Sequence, residues 1–142
     1  MTRVPITTAD APAPSGAYSQ GVVSTGPLLF CAGQGPYAPD GRLVDDSVAD
    51  QVRQTLANLD AVCVAAGTSL KNAVRLGVFL SSLDHFAEMN AVLTAYFDGQ
   101  PFPARTTIET PLRGFDVEID AVVAFLPHNA PQTHGHDALR LA

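Results

Sequence analysis

At 142 residues, with 46% hydrophobic and 15% charged positions, the chain is long enough for one domain with a real core and too short for two. The net charge of −6 and the single lysine, Lys71, exclude a nucleic-acid binder, because no Lys/Arg cluster can neutralise a run of phosphates. A charge fraction well under the roughly one quarter typical of soluble domains leaves more apolar surface than a solitary monomer keeps wet, so self-association is expected.

No signal-peptide core follows Met1-Thr-Arg-Val-Pro5, and no apolar run approaches the ~20 residues of a membrane span. A cytoplasmic protein without membrane contact is expected. Residues 3–8 suit a short edge strand, since Pro5 removes a ladder hydrogen bond. Asp10 to Gly16 is too proline-rich for regular structure, and a strand is expected to begin at Tyr18. Pro27 to Ala32 reads as a second strand, apolar on both faces, broken by Gly33-Gln-Gly-Pro36. Ser47 with Asp50 resembles a capping box, opening a helix to about Ala66. Val48, Val52, Leu56, Leu59, Cys63 and Ala66 recur at spacings of four and three on one face of that helix. Gly67 is its stop. Asn72 to Ser81 is a strand, and Asp84 is read as capping a second helix to about Phe97 with Phe86, Met89, Leu93 and Phe97 inward. Asn90 falls on or beside that inward stripe and needs a partner. The strands Phe102–Glu109 and Asp116–Phe125 close the domain, placed at residues 1–126. Residues 127–142 read as a polar tail, expected to be disordered.

Two helices cover only one face of so wide a sheet, which gives an α+β arrangement. Several strands are nevertheless apolar on both faces, and burying the second face against other copies predicts a closed homo-oligomer.

Charge sits on the two last strands where a plain core strand would avoid it. If they form a hairpin turning near Pro111–Gly114, Arg105 faces Asp120 and Thr107 faces Glu118. Glu118 is then a same-face diagonal neighbour of Arg105 at roughly 7–8 Å, a gap suited to a small carboxylate and a water. By spacing alone a plain Arg105–Asp120 pair is the preferred reading, and a one-residue slip would put Arg105 and Glu118 on opposite faces. Tyr18 could position a polar ligand. Ala32-Gly-Gln-Gly35 lacks phosphate-loop spacing, although its peptide groups could bind a small molecule. Cys31 and Cys63 are expected as buried free thiols. His85 is expected at the surface, and neither it nor His128, His134 and His136 suggests a metal site.

Together, Ala13-Pro-Ser-Gly-Ala-Tyr-Ser-Gln-Gly21, Ala32-Gly-Gln34, Phe86-Ala-Glu-Met-Asn90, Phe102-Pro-Ala-Arg105 and Val117-Glu-Ile-Asp-Ala121 resemble the reactive-intermediate deaminase (Rid, or YjgF) family, from Thr7 to Phe125. The resemblance implies a chorismate-mutase-like single domain, a mixed sheet with two helices on one face, and a homotrimer with sheets facing the centre and sites between subunits. It implies hydrolysis of enamines and imines (2-aminoacrylate, 2-iminopropanoate, 2-iminobutanoate) to 2-keto acids and ammonia, with no cofactor and no metal. By position, Arg105 matches the carboxylate-binding arginine, Glu118 the residue handling the attacking water, Tyr18 a cleft aromatic and Gly33 a backbone contact. Asn90 matches the family's helix asparagine, Thr107 stands where others carry cysteine, Ala32 where many carry serine, and Leu93 replaces a common aromatic. The last two departures suggest a reshaped cleft and, as alternatives, a bulkier substrate such as an aminomuconate, or a non-enzymatic ligand-binding or chaperone-like trimer. A ribonuclease reading fits poorly with the negative charge and the lack of a His pair for acid–base cleavage.

Overall fold

The computed structural model describes residues 2–126. The tail at 127–142, with its expected disorder and its three histidines, lies outside the described residues. The strands are β1 (Thr2–Ile6), β2 (Gly21–Thr25), β3 (Leu28–Gln34), β4 (Ala73–Leu80), β5 (Ala104–Glu109) and β6 (Val117–Ala124). The α-helices are α1 (Val48–Ala66) and α2 (Phe86–Tyr96).

Helix α1 forms for the reasons its sequence announces. Ser47, in extended conformation, accepts the Asp50 amide at 3.0 Å and donates its hydroxyl to Asp50 Oδ2 at 2.9 Å. At the other end Gly67 adopts φ 91°, a left-handed conformation that a Cβ would oppose. Its amide reaches Val64 O and the Thr68 amide reaches Cys63 O, the paired bonds of a Schellman stop. The row Val48, Val52, Leu56, Leu59 and Cys63 is buried as expected. It packs on the sheet with Met89, Leu93 and Phe97 from the α2 segment. Each leucine fully buried here contributes on the order of 1.5–3 kcal/mol. The second helix starts differently from the expectation. Ser82, not Asp84, caps a 3-10 turn at Leu83–His85, and α2 follows from Phe86.

The main sheet has the order β3-β6-β4-β5, while β1 and β2 form a separate antiparallel pair. In the main sheet β4 and β5 run parallel and the other pairs are antiparallel. The sheet is thus mixed, with both helices on one face. The expected β5–β6 hairpin does not form, because β4 lies between the two strands. Residues 110–116 step across the end of β4, with Thr110 N donating to Leu80 O and Ser81 N donating to Asp116 O. That step spans about 10 Å, two strand spacings, which a seven-residue connection crosses without strain. The start of β6 is then fixed by buried Gln51, which donates to Asp116 Oδ2 and accepts the Asp116 amide.

Register assigns every side chain a face. Leu76, Val78 and Leu80 of β4 pair with Ala121, Ile119 and Val117 of β6, and all six are buried beneath the helices. Glu118, Asp120 and Val122 therefore point to the other face, beside Phe79 and Gly77. The expected Arg105–Asp120 pair is absent: Asp120 accepts the Gly77 amide at 3.0 Å and pairs with Arg75 at 3.3 Å. That second face leaves Phe30 75% exposed. Two further expectations are corrected. Tyr18 precedes β2 rather than opening it, and Gly33 and Gln34, read as the start of the break at Gly33-Gln-Gly-Pro36, still belong to β3. Between Cys31↔Ala121 and Gln34↔Ile119 the strand carries one extra residue, a bulge that re-aims Gly33 toward Glu118.

Cys31 and Cys63 are free and buried, as read from their contexts. Burial raises both thiol pKa values, that of Cys63 to about 12. A thiol whose folded value exceeds its unfolded one contributes stability below the unfolded value, near 8.5, and loses it as pH rises through the folded one. Chemical denaturation at stepped pH should therefore show stability falling from about pH 9 toward about 12. Cys63→Ser, which cannot titrate there, should flatten that fall; an unchanged slope would contradict the assignment.

Candidate active site

Arg105 lies on β5, paired in register with Leu76, so its side chain enters the helix side of the sheet. There its Nη1 donates to Asn90 Oδ1 at 2.9 Å and to the Ala17 carbonyl at 3.3 Å. The guanidinium carbon sits 5.3 Å from the ring centroids of both Tyr18 and Phe86, a cation held between two aromatic faces. Burial lowers the Arg105 pKa, and Tyr18 acts in the opposite direction. The group remains cationic throughout the physiological range. Among the described residues it has no carboxylate partner.

The loop that carries Tyr18 is held against β5. Ser19 N donates to Pro103 O at 3.0 Å, and Ser19 forms a parallel bridge with Ala104. The Ala17 amide donates to Asn90 Oδ1 at 2.9 Å, so one amide oxygen gathers both loop and guanidinium. Gly16 has to be glycine at this crossing, since a Cβ there would stand 2.7 Å from Asn90 Oδ1 and 3.0 Å from Arg105 Nη2. Hydrogen bonds from Ser15 draw the Tyr18 phenol below its ordinary pKa, helped by the charge of Arg105. Thr107, two residues along β5 on the same face, has a buried hydroxyl with no hydrogen-bond partner. The cluster is a cation, an aromatic clamp and an unused hydroxyl, a set that suits a planar carboxylate.

Glu118 occupies a second place. It lies on the opposite sheet face, against the β3 bulge, where a Cβ on Gly33 would come within 2.9 Å of Oε1. Among the described residues it has no hydrogen bond to a side chain and no ion pair. Ala32, the neighbour of Gly33, is exposed. The structure therefore brings Arg105, Asn90 and Tyr18 together, with Thr107 two residues along the same strand face, and separately Glu118 with Gly33, next to Ala32 in the chain. The same-face diagonal between Arg105 and Glu118 is corrected, because the register of β4 with both neighbours puts the two on opposite faces. Leu93 is wholly buried in the core, as its place on the inward stripe predicts, and the cleft role suggested by the resemblance is corrected. Phe86, Ala17 and Gly16 enter the cluster without having been singled out. Phe86 was legible, since it stands one helical turn before Asn90 on the same face. The Ala17 carbonyl leaves no side-chain signal.

Over residues 8–125 the chain matches the family model described as Endoribonuclease L-PSP. The chain belongs to that family, the Rid or YjgF family. This Rid-family chain is 42% identical over 123 residues to RutC family protein y4sK of Sinorhizobium fredii, covering 84% of this chain and 96% of the relative. A Yersinia pestis Rid protein of unknown function, YyfB, superposes with a TM-score of 0.79 at 28% identity, covering 88% of this chain and all of that one. TdcF of E. coli, crystallised with bound serine, superposes with a TM-score of 0.65 at 34% identity, covering 86% and 98%. Membership supports a general deaminase or imine-hydrolysing role, while other relatives are described as endoribonucleases. No helix among the described residues of the Rid-family chain is long and apolar enough to cross a membrane.

Proposed function

We propose that this protein is a cofactor-independent deaminase that hydrolyses small 2-imino and 2-enamino acids to 2-keto acids and ammonia, at sites completed between copies of a homotrimer. One observation carries the reading. Among the described residues, Arg105 is a half-buried cation with no anion and Glu118 a half-buried anion with no cation, on opposite faces of one sheet. An ionised group taken partly out of water without a partner is unfavourable, and a second copy carrying the opposite charge relieves both. The exposed Phe30 on the Glu118 face supports the same assembly. Serine bound to TdcF supports an amino-acid-like carboxylate as the ligand class.

In this reading Arg105 holds the substrate carboxylate with its fork of N–H donors, and the Tyr18 and Phe86 rings keep the guanidinium plane fixed. Asn90 positions the arginine, and Thr107 stands two residues along β5 on the same face, its hydroxyl buried in the single chain. An enamine first takes a proton at carbon to become the iminium. Water, deprotonated by Glu118 from the neighbouring copy, adds to the iminium carbon. The resulting carbinolamine takes a proton on nitrogen, ammonia leaves, and the carbonyl forms. The iminium is already electrophilic, so placement and modest base catalysis suffice. The bulkier-substrate alternative keeps one support, the small exposed Ala32, since Leu93 is core.

The test couples a PLP-dependent threonine or serine dehydratase to this protein and follows decay of the imine it releases. Accelerated decay with at least one imine is expected. Decay at the uncatalysed rate for both would sink the small-imine reading.

A further inference from the structure

Beside Glu118 stand two aromatic rings that the imine chemistry does not use. Gly33 and Gly35 flank Gln34 at the end of β3, and alternation along the chain puts both bare positions on one side, roughly 7 Å apart. A Cβ on Gly33 would come within 2.9 Å of Glu118 Oε1, and one on Gly35 would stand 3.3 Å from the Tyr37 ring and 3.5 Å from the Phe115 ring. Carboxylate and rings therefore lie side by side over one strip of chain that carries no side chains. The two rings meet edge to face, with centroids 5.7 Å apart and planes at 75°. Phe115 is half-buried, whereas Tyr37 is 39% exposed, so the open surface belongs to Tyr37.

We propose that Tyr37, backed by Phe115, selects the substrate side chain, favouring 2-imino acids with an apolar side chain of several carbons over 2-iminopropanoate. This deepens the imine-hydrolase reading and rests on it. The ring is held in place by other groups. Val44 N donates to Pro36 O at 2.9 Å and Ala38 N to Arg42 O at 2.8 Å, closing the turn that carries Tyr37. Asn58 of α1 donates its Nδ2 to Gly35 O at 3.0 Å and to Tyr37 O at 2.7 Å, and its Oδ1 accepts Gln54 Nε2 at 2.9 Å. A ring serving only to cover this turn would be buried by it, yet more than a third of Tyr37 stays open. With the carboxylate on Arg105 of the neighbouring copy and the reacting carbon at the Glu118 water, the remaining substituent of that carbon runs along the glycine strip toward the rings. A methyl group leaves the Tyr37 face uncovered. An isobutyl or benzyl group covers it, gaining apolar burial and, for benzyl, ring–ring contact.

The experiment uses the full chain, with D-amino-acid oxidase and catalase supplying the imines of alanine, leucine and phenylalanine in turn. Tyr37→Ala should lower kcat/KM for the leucine and phenylalanine imines about tenfold more than for the alanine imine, the scale of a methylene-sized apolar contact. Tyr37→Phe should keep the parent's ratio, because the ring and not the hydroxyl makes the contact. Tyr37→Val, a gentler truncation, should move the ratio as Tyr37→Ala does and carries the test if the alanine chain does not fold. An unchanged ratio would overturn the inference and leave the imine reading in place. So would an equal loss on all three imines, which is what a purely structural role gives. A parent that accelerates none of the three would remove the imine reading itself, and this inference with it.

Discussion

Arg105→Ala should leave a folded protein that no longer accelerates imine decay. Fold should survive because the substitution removes a cation that lacks an anion among the described residues, and Asn90 Oδ1 still accepts the Ala17 amide at 2.9 Å. Truncating one partner of a buried, hydrogen-bonded charge pair is worth about 2–5 kcal/mol. That corresponds to roughly 30-fold to several-thousand-fold in kcat/KM, the greater part expected in KM. Arg105→Lys keeps the charge but has neither the planar fork nor the stacking on Tyr18 and Phe86, and should fall between the two. Coupled-assay kinetics with a thermal-unfolding control decide it. Activity within a few-fold of the parent in Arg105→Ala would remove the carboxylate-anchor role.

Glu118→Gln should show the opposite kinetic signature. The amide is nearly isosteric, so it fits beside Gly33 where a larger group would collide. It binds water but cannot take its proton. General-base catalysis contributes typically ~10²–10⁴-fold, so kcat should fall by about that factor with KM little changed. A fall in affinity with kcat preserved would mean that Glu118 contacts the substrate rather than the water.

What the sequence disclosed divides along local and non-local lines. Helix α1 was legible from cap to stop, because Ser47, Gly67 and the apolar row act within one segment. Asn90 was legible as a polar group on an inward stripe in want of a partner, and Arg105 is that partner. The pairing of the final strands was not legible. A Pro/Gly connection between two adjacent runs favours a hairpin on local grounds. The competing arrangement depends on β4, encoded some 30 residues earlier, whose buried face matches that of β6 pair for pair. Inserting β4 moved Arg105 and Glu118 to opposite faces. It also gave Asp120 to Arg75 and Gly77. For Leu93 the helical periodicity, which placed it inward, was right, and the cleft role suggested by its departure from the family's aromatic was not.

The sheet register puts Arg105 and Glu118 on opposite faces of one chain, and mixing two impaired variants tests directly whether sites are shared between copies. Arg105→Ala and Glu118→Gln chains, each strongly impaired alone, are unfolded together, refolded at equal ratio, and assayed for imine hydrolysis at substrate well below KM. Where each site takes its arginine from one copy and its glutamate from the next, random assembly gives about a quarter of the sites both native residues. About a quarter of parental activity should therefore return, and size-exclusion chromatography should show one mixed oligomer. A mixed oligomer with no more activity than either variant alone would contradict sites shared between copies.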